Sequence, residues 1–143
     1  LSGLDLVHKC RKRDWVLDVG CGYNPFKGSI KNLVAIDPAN TKADQVVTLE
    51  EFESDKLFDV AFCLGSINFG NETKIRNQIE KLLTHMKPSC KIFWRCNPGR
   101  SDHGKPSTHK VPFFHWSEQW HETFCRDYGF ELVELVLVFF FLA

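Results

Sequence analysis

Val16-Leu17-Asp18-Val19-Gly20-Cys21-Gly22-Tyr23-Asn24-Pro25 is the stretch that decides the fold. An apolar run carries a carboxylate near its end and passes into two glycines spaced by one residue, then a turn. This is the pattern of a buried strand running into a tight loop whose backbone can approach a ligand closely, glycine serving there because it lacks a Cβ and tolerates positive φ. Further along, a second apolar run, Leu33-Val34-Ala35-Ile36, ends in Asp37. A carboxylate at the tip of the second strand of a βαβ unit is placed to accept hydrogen bonds from ribose hydroxyls.

Two details narrow the nucleoside ligand. A dinucleotide fingerprint wants a third glycine three residues after the second, for close helix packing and pyrophosphate approach. Pro25 stands there. A pyrophosphate also has no use for an acid two residues before the first glycine, where Asp18 sits. A carboxylate at that point suits a cationic ligand. S-adenosylmethionine has a ribose, an ammonium and a sulfonium, and no phosphate.

Val16 to Gly22 resembles the first motif of class I S-adenosylmethionine-dependent methyltransferases, and Val34-Ala35-Ile36-Asp37 resembles their second. The resemblance continues through Phe58 to Cys63 (a fourth strand), Met86 to Ile92 (a turn into a fifth), and His115-Trp116-Ser117 with Tyr128-Gly129-Phe130 at the ends of a last helix. One departure is that Asn24 replaces the glycine usual at the end of the first motif. The resemblance implies a single α/β/α domain over residues 1–143, with a mostly parallel Rossmann-like sheet in the order 3-2-1-4-5-6 and room for an antiparallel seventh strand. It implies that Asp18, Gly20, Cys21, Gly22 and Asn24 surround the methionine and ribose part of the cofactor. Asp37 would bind the ribose hydroxyls, Pro38 and Leu49 would flank the adenine, and Leu64, Gly65 and Ser66 would close the methionine side facing the acceptor. Because Asp37 lies at a strand tip, its replacement is expected to change folding little.

The composition agrees with one soluble globular domain: 43% of the 143 residues are hydrophobic and 25% charged. A formal net charge of zero gives no electrostatic push toward nucleic acid or an anionic membrane. Six cysteines without a C-x-x-C pair are expected to be reduced thiols in a cytoplasmic protein. No secretory leader pattern is visible, and the apolar run 135–142 is too short to span a bilayer.

Along the chain, residues 2–13 are expected to form a helix ending in the cations Lys9, Arg11, Lys12 and Arg13. Strands are expected at 14–19, 33–37, 45–48, 58–64, 90–96 and from Phe130. Only ten residues, 23–32, join the first two, leaving space for about one helical turn. Glu50, Glu51, Glu53 and Asp55 read as a solvated acidic turn. Asn71 is expected to cap a helix whose stripe is Ile75, Ile79, Leu82, Leu83 and Met86, with Pro88 as its stop. Ser117 and Gly129 bracket a last helix.

The stretch 97–116 has three prolines, two glycines, three histidines and no periodicity. A connection of that length in a compact domain is usually functional or disordered. We read it as an acceptor lid, with Arg100 and Lys105 contacting an anionic or nucleotide-like acceptor, Asn68 lining the same site, and His103 or His109 as candidate general base. The spacings of Cys96, His103, His109 and His115 match no zinc finger, so no metal is assigned. Two other classes fit the same loops: a regulatory module that binds the cofactor without turnover, and a nicotinamide-dependent oxidoreductase, which Asp18 and Pro25 disfavour.

Overall fold

A computed structural model of the chain describes residues 4–97, 101–102, 105–106 and 111–136. Its centre is a four-stranded parallel sheet of β1 (Val16–Val19), β2 (Leu33–Ile36), β3 (Phe58–Leu64) and β4 (Met86–Arg95), in the order β2-β1-β3-β4. This is the 2-1-4-5 centre of the expected order. Val16 pairs with Leu33 on one side and Val60 on the other, and Asp18 with Ala35 and Phe62. β1 is fully buried, which is why it reads as an unbroken apolar run interrupted only by Asp18. The sheet reverses its winding between β1 and β3, so the crevice for a ligand lies at their carboxyl ends.

Two cores lie on the two faces. Leu17, Val19, Ile36, Ala61 and Cys63 pack with Ile75, Ile79 and Leu82 of helix α1 (Glu72–Leu83) and Phe124 of helix α2 (Glu118–Tyr128). Val16, Leu33, Ala35, Val60 and Phe62 pack with Phe26 and Ile30, and with Leu6, Val7 and Cys10 at the margin. The second layer is thus thin, made of a 3-10 helix (Leu4–Lys9) and a loop whose Phe26 ring lies 4.7 Å from that of Phe62. The loop from Asn24 to Ile30 is a chain of turns, with bonds from Lys27 N to Asn24 O and from Ile30 N to Phe26 O. Ten residues leave no length for more.

Both helix starts are as read: Asn71 accepts from Lys74 N and Ser117 from Trp120 N, while Gly129 at φ 74° closes α2. The helices are joined by Arg76, which donates to Glu72 and Asp127 and lies 4.9 Å from the Phe124 ring. Glu50 and Glu53 of the acidic turn also reach α1, at Gln78 and Lys81.

Four expectations change. The first helix is the short 3-10 segment within residues 4–9. The third strand shrinks to one bridge, Ile36 to Gln45. The Asp44 carboxylate takes the Ala35 N–H that a strand would use, and Thr48 and Glu51 exchange side-chain-to-backbone bonds in a capping box that turns the chain away. α1 ends at Leu83, before Pro88, which instead stands in β4 where the register slips between the Phe58–Met86 and Val60–Lys91 pairs. A proline, lacking the N–H, is tolerated at such an irregularity. Residues 130–136 form no strand, with Val133 and Val136 exposed; the place of a seventh strand lies outside the described residues.

His85 provides a test of this packing. It is buried between α1 and β4, its ring 4.8 Å from Phe52 and its Nε2 without a partner. Burial pushes its pKa down, aided by Lys81. The unfolded chain takes up this proton below about pH 6.5 and the folded chain resists it, so stability falls as pH drops through that value. His85→Gln is expected to flatten the fall in melting temperature between pH 7 and pH 5. His121, also depressed by burial, contributes in the same direction.

Candidate functional site

The carboxyl ends of β1, β2 and β3 meet in three loops. Gly20 and Gly22 adopt φ of 70° and 57°, and Asn24 follows at 59°. Asn24 thus stands where a left-handed residue is required. Asparagine is among the few side chains that adopt this conformation readily, which explains how it substitutes for the usual glycine. A Cβ on Gly20 would come 2.6 Å from Ser66 Cβ, so the first glycine allows the loop after β1 to abut the loop after β3.

Asp18 is 2% exposed, and its Oδ2 has no hydrogen-bond partner. Ser66 Oγ and Asn24 Oδ1 are likewise buried and unpartnered. A buried polar atom without a partner is costly, and these three lie at the end of β1 and in the loops after β1 and β3, where a polar ligand could satisfy them. Burial, and then the charge of Asp37, push the Asp18 carboxyl from 3.8 up to about 7. Between those values the folded state holds a proton that the unfolded state releases, so Asp18 favours folding less and less as pH rises through about 7. A bound cation would reverse that trend by stabilising the ionised form. Cys21 is buried beside this pair, and its thiol is pushed up to about 12 by burial and by Asp18 and Asp37, which makes it inert.

Asp37 is more engaged than a strand tip implies. Its Oδ2 accepts the Gly22 N–H at 2.9 Å, and its Oδ1 accepts those of Ala39 at 2.8 Å and Asn40 at 3.0 Å. It ties the glycine loop to the loop after β2 and keeps about one of four acceptor positions open. Pro38 is exposed beside it, whereas Leu49 is 5% exposed within the core. Leu64 and Gly65 line the start of the β3 loop, where the Leu64 carbonyl accepts from Arg95.

Asn68 is 7% exposed and holds the frame: its Oδ1 accepts the Asn97 N–H at 2.8 Å and its carbonyl accepts the Phe114 N–H at 2.8 Å. Trp116 Nε1 donates to the Ile67 carbonyl, and the Phe69 and Phe113 rings stack at 4.8 Å. The stretch after β4 therefore returns, at 112–116, to the loop after β3. Between these anchors a two-residue pair, β5 (Ser101–Asp102) and β6 (Lys105–Pro106), runs antiparallel. Arg100, His103 and His109 lie outside the described residues, as does the Lys105 side chain. The basic run 9–13 precedes β1 and so sits at the opposite, amino edge of the sheet, away from these loops. Among the described residues no group of three or more His, Cys, Asp or Glu is placed to hold a metal. No described helix is long and apolar enough to cross a membrane.

No protein-family model matches the chain, and no curated protein matches it. Solved structures do. The DhpI complex with S-adenosylhomocysteine matches with a TM-score of 0.65 over 88% of this chain and 72% of that one, at 12% identity. The DhpI–S-adenosylmethionine–HEP complex matches at 0.62 over 90% and 75%, at 13% identity. The N-methyltransferase NodS from Bradyrhizobium japonicum WM9, in complex with S-adenosylhomocysteine, matches at 0.50 and 16% identity over 57% of this chain; the chain spans 51% of NodS. The likeness is one of fold: this chain has the Rossmann-like α/β fold of class I methyltransferases.

Because Asp37 holds three backbone N–H groups, Asp37→Ala is expected to lower folding stability by roughly 2–4 kcal/mol, hydrogen bonds to a charged group contributing about 1.5–3 each before water takes over some of them. Chemical denaturation checks this, with an unchanged midpoint contradicting the tie.

Proposed function

We propose that this protein binds S-adenosylmethionine at the carboxyl edge of β1 and β3 and transfers its methyl group to a small acceptor. The unpartnered, buried Asp18 oxygen carries this reading. A carboxylate kept 2% exposed with one oxygen, Oδ2, left without a protein partner is poorly explained by folding and well explained by a cationic ligand. Solved neighbours of the same fold hold this cofactor or its demethylated product, which supports the choice.

When bound, the sulfonium supplies an electrophilic methyl group, so the protein's task is position, orientation and exclusion of water. Asp18 would face the cationic methionine end, with Ser66 Oγ giving a second polar contact. Gly20, Gly22 and Asn24 shape the loop beneath it. Asp37 would accept from a ribose hydroxyl with its open position, and Leu64 and Gly65 would border the acceptor side. The stretch 97–116 would close over the acceptor; its anchoring to the β3 loop supports that role. Arg100, Lys105 and Lys110 make this stretch basic, with Arg95 just before it, which favours an acceptor bearing carboxylate or phosphate, a nucleotide included. His103 or His109 would take the acceptor's proton. The six cysteines are all free, which supports a reducing, cytoplasmic setting.

Calorimetry is expected to give micromolar-range affinity, on the order of −8 kcal/mol, for S-adenosylmethionine and S-adenosylhomocysteine, and no binding of NAD. Turnover of methyl-labelled cofactor against pools of anionic small molecules separates an enzyme from a binding module. Tight NAD binding without adenosyl binding would overturn the reading.

A further inference from the structure

Leu49, the residue expected to flank the adenine with Pro38, is buried in the core, so a flat ligand at the β2 edge needs another wall. Tyr23 is 79% exposed, the most exposed large hydrophobic on this edge among the described residues. It sits between Gly22, whose N–H is held by Asp37, and Asn24, whose N–H bonds Cys21 O and whose Nδ2 bonds Lys42 O at 2.9 Å. Lys42 is fixed in turn through its N–H to Asn40 Oδ1. The backbone is therefore tied on both sides of Tyr23 and at Lys42, and Lys42 Nζ lies 5.9 Å from the Tyr23 ring centroid. Val46, 51% exposed, follows Gln45, whose carbonyl accepts the Asp37 N–H. The Asp37 carboxylate, with one open acceptor position, is thus bonded to the residue before Tyr23 and followed by the exposed Pro38, and its N–H is bonded to the residue before Val46. That combination matches a hydroxyl-bearing sugar joined to a flat, neutral base.

We propose that Tyr23, steadied by Lys42, is the wall on which the adenine ring of the adenosyl ligand stacks. The inference rests on the cofactor reading above and assigns a base-recognition residue that the first-motif resemblance does not include. At 79% exposure the ring adds almost nothing to the folded core, so its removal should leave the melting temperature unchanged.

The test is calorimetry of S-adenosylhomocysteine and of 5′-methylthioadenosine, which keeps the base and ribose but lacks the amino acid. Tyr23→Ala should weaken both by the same factor, on the order of tenfold for loss of one stacked base. Tyr23→Phe should bind as the wild type does. Lys42→Ala should give a smaller loss that disappears on the Tyr23→Ala background, since Lys42 acts only through the ring. Wild-type binding with an unaffected Tyr23→Ala overturns the stacking wall and leaves the cofactor reading intact. An equal loss in Tyr23→Phe assigns the effect to the hydroxyl and also overturns it. Failure of the wild type to bind either ligand removes both proposals together.

Discussion

A carboxylate buried in the centre of a parallel sheet is the constraint around which this fold is arranged. Asp18 is flanked by β2 and β3, shut away from water and given no partner for Oδ2. Asp37 lies near enough to raise its pKa further. A buried acid held this way works against folding at neutral pH unless a positive charge comes beside it. The apolar sheet supports the strain: β1 is buried along its whole length, and the two cores grip it from both faces.

The loops above the sheet are tied to one another by a few polar side chains that bind backbone. Asp37 takes three N–H groups, Asn24 holds the Lys42 carbonyl, and Asn68 joins the loops after β3 and β4. Trp116 adds a bond from its indole to Ile67. Each of these ties joins one loop at this edge to another part of the chain. Preorganisation of this kind lowers the ordering entropy that binding must overcome.

Much of this was legible because the signals were local. Asn71 and Ser117 precede apolar stripes of helical period, and Gly129 stands where α2 needs a left-handed residue. The apolar runs of β1 to β3 announce strands buried on both faces. The third strand is absent although Gln45-Val46-Val47-Thr48 has strand composition, because Thr48 and Glu51 have capping-box spacing, a competing signal present in the sequence. Pro88 read as a helix stop because sequence does not show a register slip in a neighbouring strand. The partners of Asp37 and Asn68 come from loops distant in the chain, so no spacing could reveal them. Tyr23 passed as a motif spacer, since exposure is a property of the folded chain alone.

The most direct measurement compares the stability of the wild type and Asp18→Asn at pH 5 and pH 8, each with and without S-adenosylhomocysteine. The account predicts that, without ligand, Asp18→Asn gains on the wild type by roughly 2–3 kcal/mol as pH rises across that range, because the variant no longer ionises a buried group. It also predicts that ligand raises the melting temperature of the wild type and not of the variant. A variant that is less stable at pH 8 and still stabilised by the ligand would show that Asp18 serves the fold, and would contradict the account.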